Sequence, residues 1–281
     1  MGEWASGFAE ANGIRIHYLR TGGAKPPLVL AHGFTDDGGC WAPVAAVLAA
    51  DYDAVMVDAR GHGRSDAPPG GYGAVEQAAD LAGVIEALGL RKPAILGHSM
   101  GAETALALAG VHPDLPGAIL LEDPPPRWVA SRAPVEGDDN RGTEWRNRIT
   151  TMKRQTRDEL LAAERAASPA WSEAELDPWA DAKLRLSPAV LARFEPGDTA
   201  PGDWAATLGR IRCPALLLIG NPALGALVDS TAADALRALV PGLSVAHIAG
   251  AGHNIRRDQP DRYLEAVRPF LAAWAVSAGA A

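Results

Sequence analysis

Gly97-His98-Ser99-Met100-Gly101 stands between a short apolar run, Ala94-Ile95-Leu96, and a stretch of small and apolar residues from Ala102 to Ala109. The run has the length of a buried strand, and the stretch after it reads as a helix. A serine at the turn between two such elements sits in a strained backbone with its hydroxyl pushed out at the carboxyl end of the sheet. The flanking glycines let neighbouring backbone approach where a Cβ would clash.

Outward from this turn the chain repeats the same rhythm. Leu28–Ala31, Ala54–Val57, Gly117–Leu121, Ala215–Ile219 and Leu243–Ile248 are further continuous apolar runs, as parallel strands buried on both faces show. Helical stretches separate most of them: Pro43–Ala50, Ala74–Leu88, Ala102–Val111, Thr231–Leu239 and Asp261–Val276. Ile14, Ile16 and Tyr18 alternate with polar neighbours and pair, through an Asn12-Gly13 turn, with Phe8–Ala11 as an antiparallel edge hairpin. The expectation is an α/β fold, a mostly parallel sheet with helices on both faces.

The rhythm breaks between Asp123 and Ala206. Trp145, Ile149, Met152, Thr156 and Leu160 recur at helical spacing, and Ser172 with Glu175 has the form of a capping box. Pro124-Pro125-Pro126 opens the segment; Pro196, Gly197, Pro201 and Gly202 punctuate its end. The expected organisation is a core in two pieces, residues 1–123 and 206–281, with a helical cap over 124–205.

Composition narrows the function classes. The chain has 281 residues, is 48% hydrophobic, and carries a formal charge of −8, which suits a large core and argues against nucleic-acid or anionic-membrane partners. Its two cysteines, Cys40 and Cys213, form no metal-binding or disulfide pattern, so no metal is expected. The start of the chain lacks a basic segment followed by an apolar one, and no run approaches the ~18 residues of a membrane span. The reading is a cytoplasmic protein, monomer or homodimer, acting on a small molecule without a cofactor.

Serine needs a general base, and the base an orienting acid. His253, in Gly250-Ala251-Gly252-His253-Asn254, follows the last apolar run and precedes the last helix, which places it at the sheet's carboxyl edge. The other histidines have plainer readings: His17 and His247 lie in strands, His32 and His62 in glycine-rich turns, His98 within the elbow and His112 at a helix end. For the acid, the strand before the histidine strand is followed by Gly220-Asn221-Pro222-Ala223, which holds no carboxylate. Asp123, at the tip of the strand after the elbow helix, is the first candidate, with Glu122 second and Asp229 third; Asp229 also suits a helix cap. Strand alternation points Glu122 away if Asp123 faces the site. By position, the backbone amides of Met100 and Phe34 would form an oxyanion hole. Asp36 and Asp37 read as solvated loop acids, and Asp58 to Ser65 as a structural turn.

His32-Gly33-Phe34, Asp58-x-Arg60-Gly61-x-Gly63-x-Ser65, the elbow and Gly252-His253 together resemble the α/β-hydrolase superfamily. The resemblance implies an eight-stranded sheet, a cap over a buried pocket, and a serine hydrolase. Ala223 departs from the usual acid position; in lactone hydrolases of the zearalenone-degrading type the acid follows the earlier strand, where Asp123 falls. Haloalkane dehalogenases and epoxide hydrolases place aspartate where this chain has Ser99. The expected activity is cleavage of an ester or lactone, with amide, carbamate or carbon–carbon hydrolysis, or a non-catalytic ligand sensor, as alternatives. Trp128, Trp145 and Met152 are expected to line a mainly apolar pocket. Arg127, Arg132, Arg141, Arg146, Arg148, Arg154 and Arg157 read as a solvated outer face, with an anionic substrate as the lesser alternative.

Overall fold

A computed structural model describes residues 4–129, 139–195 and 202–279. Strands β1 (Ala5–Ala11), β2 (Ile14–Arg20), β3 (Pro27–Ala31), β4 (Asp53–Val57), β5 (Ala94–His98), β6 (Ala118–Glu122), β7 (Ala215–Ile219) and β8 (Ser244–His247) form one sheet. Their order is β1-β2-β4-β3-β5-β6-β7-β8. β2 pairs antiparallel with β1 and β4, and every other pair is parallel. The hairpin turns at Asn12 (φ 49°) and Gly13 (φ 78°), both left-handed, as a two-residue turn matched to strand twist requires.

The apolar runs are continuous because each strand feeds two cores. Val29, Ile95, Ile119 and Leu121 face one side, against α2 (Ala74–Ala87), α3 (Met100–Val111), α7 (Trp204–Leu208) and α8 (Ser230–Leu239). Leu28, Leu30, Leu96 and Leu120 face the other, against α1 (Ala42–Leu48) and α10 (Pro260–Gly279). The period-two geometry of a strand sorts alternate residues to opposite faces. No helix among the described residues is long and apolar enough to cross a membrane.

Between β6 and β7 lie α4 (Asp139–Arg154), α5 (Arg157–Ala167), α6 (Glu173–Arg185) and a 3-10 segment, Pro188–Phe194, before α7. Ile149, Met152, Leu160, Trp171 and Leu176 make a third apolar cluster there, with Phe34 and Trp145 packed against it. Two local expectations are corrected. The periodic run through Thr156 and Leu160 is two helices: Thr156 caps α5 and completes a capping box with Glu159. Ser172 does precede α6 but makes no side-chain cap bond. Its expected partner Glu175 instead accepts from Arg257 Nε at 3.1 Å. Arg132, Pro196, Gly197, Pro201 and the side chain of Arg141 lie outside the described residues.

Candidate active site

Ser99 joins β5 to α3 with φ 50° and ψ −112°, a left-handed backbone that a non-glycine residue adopts only under constraint. The constraint is close packing. A Cβ on Gly97 would lie 2.4 Å from Gly101 backbone atoms, and one on Gly101 would lie 2.2 Å from the Ala31 carbonyl oxygen. Ser99 borders a cavity of about 320 Å³ that Phe34, Met100, Trp145, Met152 and His253 also line. Met100 is the first residue of α3, so its amide has no intrahelical acceptor. Phe34 follows β3, the neighbour of β5, and its carbonyl is held by His62 Nε2 at 2.7 Å.

His253 Nδ1 lies 2.6 Å from Asp123 Oδ2. A carboxylate only accepts, so Nδ1 carries the proton of this bond. Asp123 is wholly buried and has φ 45°, a second strained non-glycine residue at the site. Its carboxylate also accepts from the amides of Leu227 (2.8 Å) and Val228 (2.9 Å), in the segment after β7 whose first four residues, Gly220 to Ala223, hold no carboxylate. Ser99 Oγ makes no hydrogen bond among the described residues, and its side chain lines the same cavity as the His253 ring. The His253 carbonyl accepts from His98 Nε2 at 3.0 Å. Burial above all, then Arg256 and His253, pushes the His98 imidazole well below its ordinary pKa, so it stays neutral.

The other acid candidates have separate partners. Glu122 turns away from Asp123, as alternation requires, and accepts from the Arg256 amide (2.9 Å) and Arg256 Nη1 (3.2 Å). Burial pushes its carboxyl upward against the pull of Arg256. Asp229 caps α8, accepting from the Ala232 amide at 2.7 Å.

The reading of Asp36 and Asp37 as solvated acids is overturned: both are buried. Asp36 accepts from Lys183 (2.8 Å), Arg257 (2.9 Å) and Arg256 (3.2 Å). Burial works against its charge, but those three cations hold its carboxyl well below the usual range. Asp37 accepts from Arg185 at 2.8 Å. These partners come from α6 and from α9 (Ile255–Asp258), which directly follows His253. The network therefore ties the inserted helices to the His253 loop. A second tie runs through Asp258, which accepts from Trp171 Nε1 (2.9 Å) and from the Gly252 amide (2.8 Å).

The match to the Alpha/beta hydrolase family runs over residues 28–266. The chain is 32% identical to N-formylmaleamate deformylase of Pseudomonas putida over 95% of its own length and 96% of that protein's. The chain belongs to the alpha/beta hydrolase family. It is also 26% identical to 2-(acetamidomethylene)succinate hydrolase of Mesorhizobium japonicum, covering 91% of each. Among solved structures, the N-formylmaleamic acid deformylase of Pseudomonas putida superposes with a TM-score of 0.78 at 25% identity, covering 94% of this chain and 100% of that one.

In this hydrolase, Ser99, His253, Phe34, Met100, Trp145 and Met152 share one cavity. Asp123 stands behind His253. Trp128 does not belong with them. Its ring packs into the core beside α8, and its Nε1 donates to the Ala232 carbonyl at 2.8 Å. The neighbouring Arg127 is the one that faces the cavity. Sequence reasoning missed the polar wall: Glu103, Lys183, Arg193 and Arg257 line it, as do Arg127 and Arg148 from the supposed outer face. The arginine count of 124–205 was the available signal. Among the described residues, no group of three or more His, Cys, Asp or Glu is placed to hold a metal ion.

Proposed function

We propose that this alpha/beta hydrolase is a serine hydrolase cleaving an acyl bond, ester or amide, of a small molecule through Ser99, His253 and Asp123. The observation that carries the reading is the His253–Asp123 pair at 2.6 Å, with its imidazole on the same cavity as the strained Ser99. His253 Nε2 takes the Ser99 proton as Oγ attacks the carbonyl carbon. Asp123 holds the tautomer and stabilises the imidazolium. The amides of Met100 and Phe34 receive the oxyanion. Collapse breaks the bond to the leaving group, which takes the proton from His253, and leaves an acyl-serine. Water, deprotonated by the same imidazole, then releases the acid and restores Ser99.

In this reading residues 124–205 cap the core formed by 1–123 and 206–281, and Trp145 and Met152 touch the substrate. A family relative named for deformylation supports setting the amide beside the ester and lactone.

The test is labelling with a fluorophosphonate, followed by a panel of p-nitrophenyl esters, lactones and N-formyl amides. Labelling at Ser99 that disappears in Ser99→Ala, with turnover of at least one panel member, is the expected result. Folded protein that neither labels nor turns over any of them is a binder and not an enzyme, and the proposal fails.

A further inference from the structure

The cavity's charges do not cancel. Glu103 binds two guanidiniums, Arg127 through Nε at 3.1 Å and Arg193 through Nη2. Arg193 is completed by the Tyr72 carbonyl at 3.0 Å and is buried. Arg127 is 39% exposed, and its terminal nitrogens have no partner among the described residues. On the opposite side of the ledger, Lys183, Arg256 and Arg257 are matched by Asp36, Glu122 and Glu175. Arg148 has no acidic partner among the described residues. It projects from α4 with its guanidinium 5.0 Å from the centre of the Trp145 ring, and makes no ion pair among the described residues. Glu164 also lines the cavity, its Oε1 accepting from the Ser168 hydroxyl. Of the charged side chains that line the cavity, five are cations (Arg127, Arg148, Lys183, Arg193 and Arg257) and three are carboxylates (Asp36, Glu103 and Glu164), in a chain whose formal charge is −8.

We infer that the substrate carries a carboxylate, read by the stacked guanidinium of Arg148 with the terminal nitrogens of Arg127. This rests on the serine-hydrolase reading and names its substrate class. A planar guanidinium presents paired N–H donors at the spacing of carboxylate oxygens, and stacking on Trp145 orders it before the anion arrives. A cavity of about 320 Å³ suits a small organic acid. The charges of the group around Asp36 are paired with one another, so it offers the anion little. Arg148 gains a counter-ion that no described residue supplies.

The experiment pairs isosteres that differ by one charge: 3-acetoxybenzoate and 3-acetoxybenzamide as substrates, succinate and succinamide as ligands of Ser99→Ala by calorimetric titration. The wild type should prefer the acid in kcat/KM by about tenfold to a hundredfold, the value of one or two charge-assisted hydrogen bonds. In Arg148→Gln that ratio should collapse towards one, chiefly through KM, and Arg148→Lys should restore part of it. Succinate should bind Ser99→Ala and lose affinity when Arg148→Gln is added. Equal losses on acid and amide in Arg148→Gln overturn the assignment, as does titration of succinate no tighter than succinamide. If Ser99 neither labels nor turns over either ester, the hydrolase reading fails by itself, and the titration still decides whether the anion site exists.

Discussion

His253 and Asp123, 130 residues apart in the chain, meet with Nδ1 and Oδ2 at 2.6 Å, and the amides of Leu227 and Val228 grip the same carboxylate. The segment after β7 thus contributes donors to an acid borne by β6. The carboxylate is fully buried with its hydrogen bonds filled, so its orientation is set before any substrate binds.

Asp123→Asn should therefore lower kcat by about 10⁴-fold while the fold persists, because an amide cannot hold the imidazole in the required tautomer. Asp229→Ala should lose only a helix cap, about 1 kcal/mol of stability, and keep its turnover. Steady-state kinetics beside urea unfolding of both variants checks this. A large kinetic loss in Asp229→Ala with none in Asp123→Asn would move the acid to the other strand.

The elbow makes a stability prediction. A Cβ at position 101 would meet the Ala31 carbonyl oxygen at 2.2 Å, a backbone atom that no rotamer change can move. Gly101→Ala should destabilise by about 3 kcal/mol. Gly70→Ala, with open space around it, should stay within about 0.5 kcal/mol of wild type. Urea midpoints measured side by side give the comparison.

The buried network predicts a pH dependence with a definite sign. The folded Asp36 carboxyl lies well below its usual range, so it contributes stability above about pH 4, lost progressively as pH falls towards the folded value. Lys183→Met removes one of its three cations and moves the folded value up. At pH 7 the variant should be less stable by about 3 kcal/mol. The deficit should narrow below about pH 4, because the wild type then loses the contribution the variant already lacks. Unfolding at pH 7 and pH 3 measures both gaps; a deficit that widens on acidification would show that Asp36 is not the carboxylate concerned.

How far the sequence is legible depends on the range of the interaction. The strands were readable because burial on both faces writes itself into consecutive residues such as Leu28-Val29-Leu30. The pairing of His253 with Asp123 was readable because an acid at the tip of β6 coincides with the lack of one in Gly220 to Ala223 after β7. Asp36 was not: a buried carboxylate and a solvated one look alike until Lys183, Arg256 and Arg257 arrive from 147, 220 and 221 residues away. Glu175 has the spacing of a capping residue, yet Arg257 takes it. Trp128 and Arg127 are adjacent, and only the path of the chain beyond β6 decides that the arginine faces the cavity and the indole the core.

His98 gives the last prediction. Its Nε2–H holds the carbonyl of His253, and its Nδ1, buried against Gly33, has no partner among the described residues. Because burial keeps it neutral, it steadies the His253 loop as a donor without titrating near neutral pH. His98→Ala should cost kcat about fivefold, the value of one neutral hydrogen bond, with KM less affected. His98→Gln, which keeps an N–H donor, should recover part of that. In wild type and in both variants the acid limb of the kcat/KM profile should carry no ionisation that belongs to His98, which burial holds neutral. A second ionisation in the wild type that disappears in His98→Gln would mean that His98 titrates in the working range, and its role would then be electrostatic.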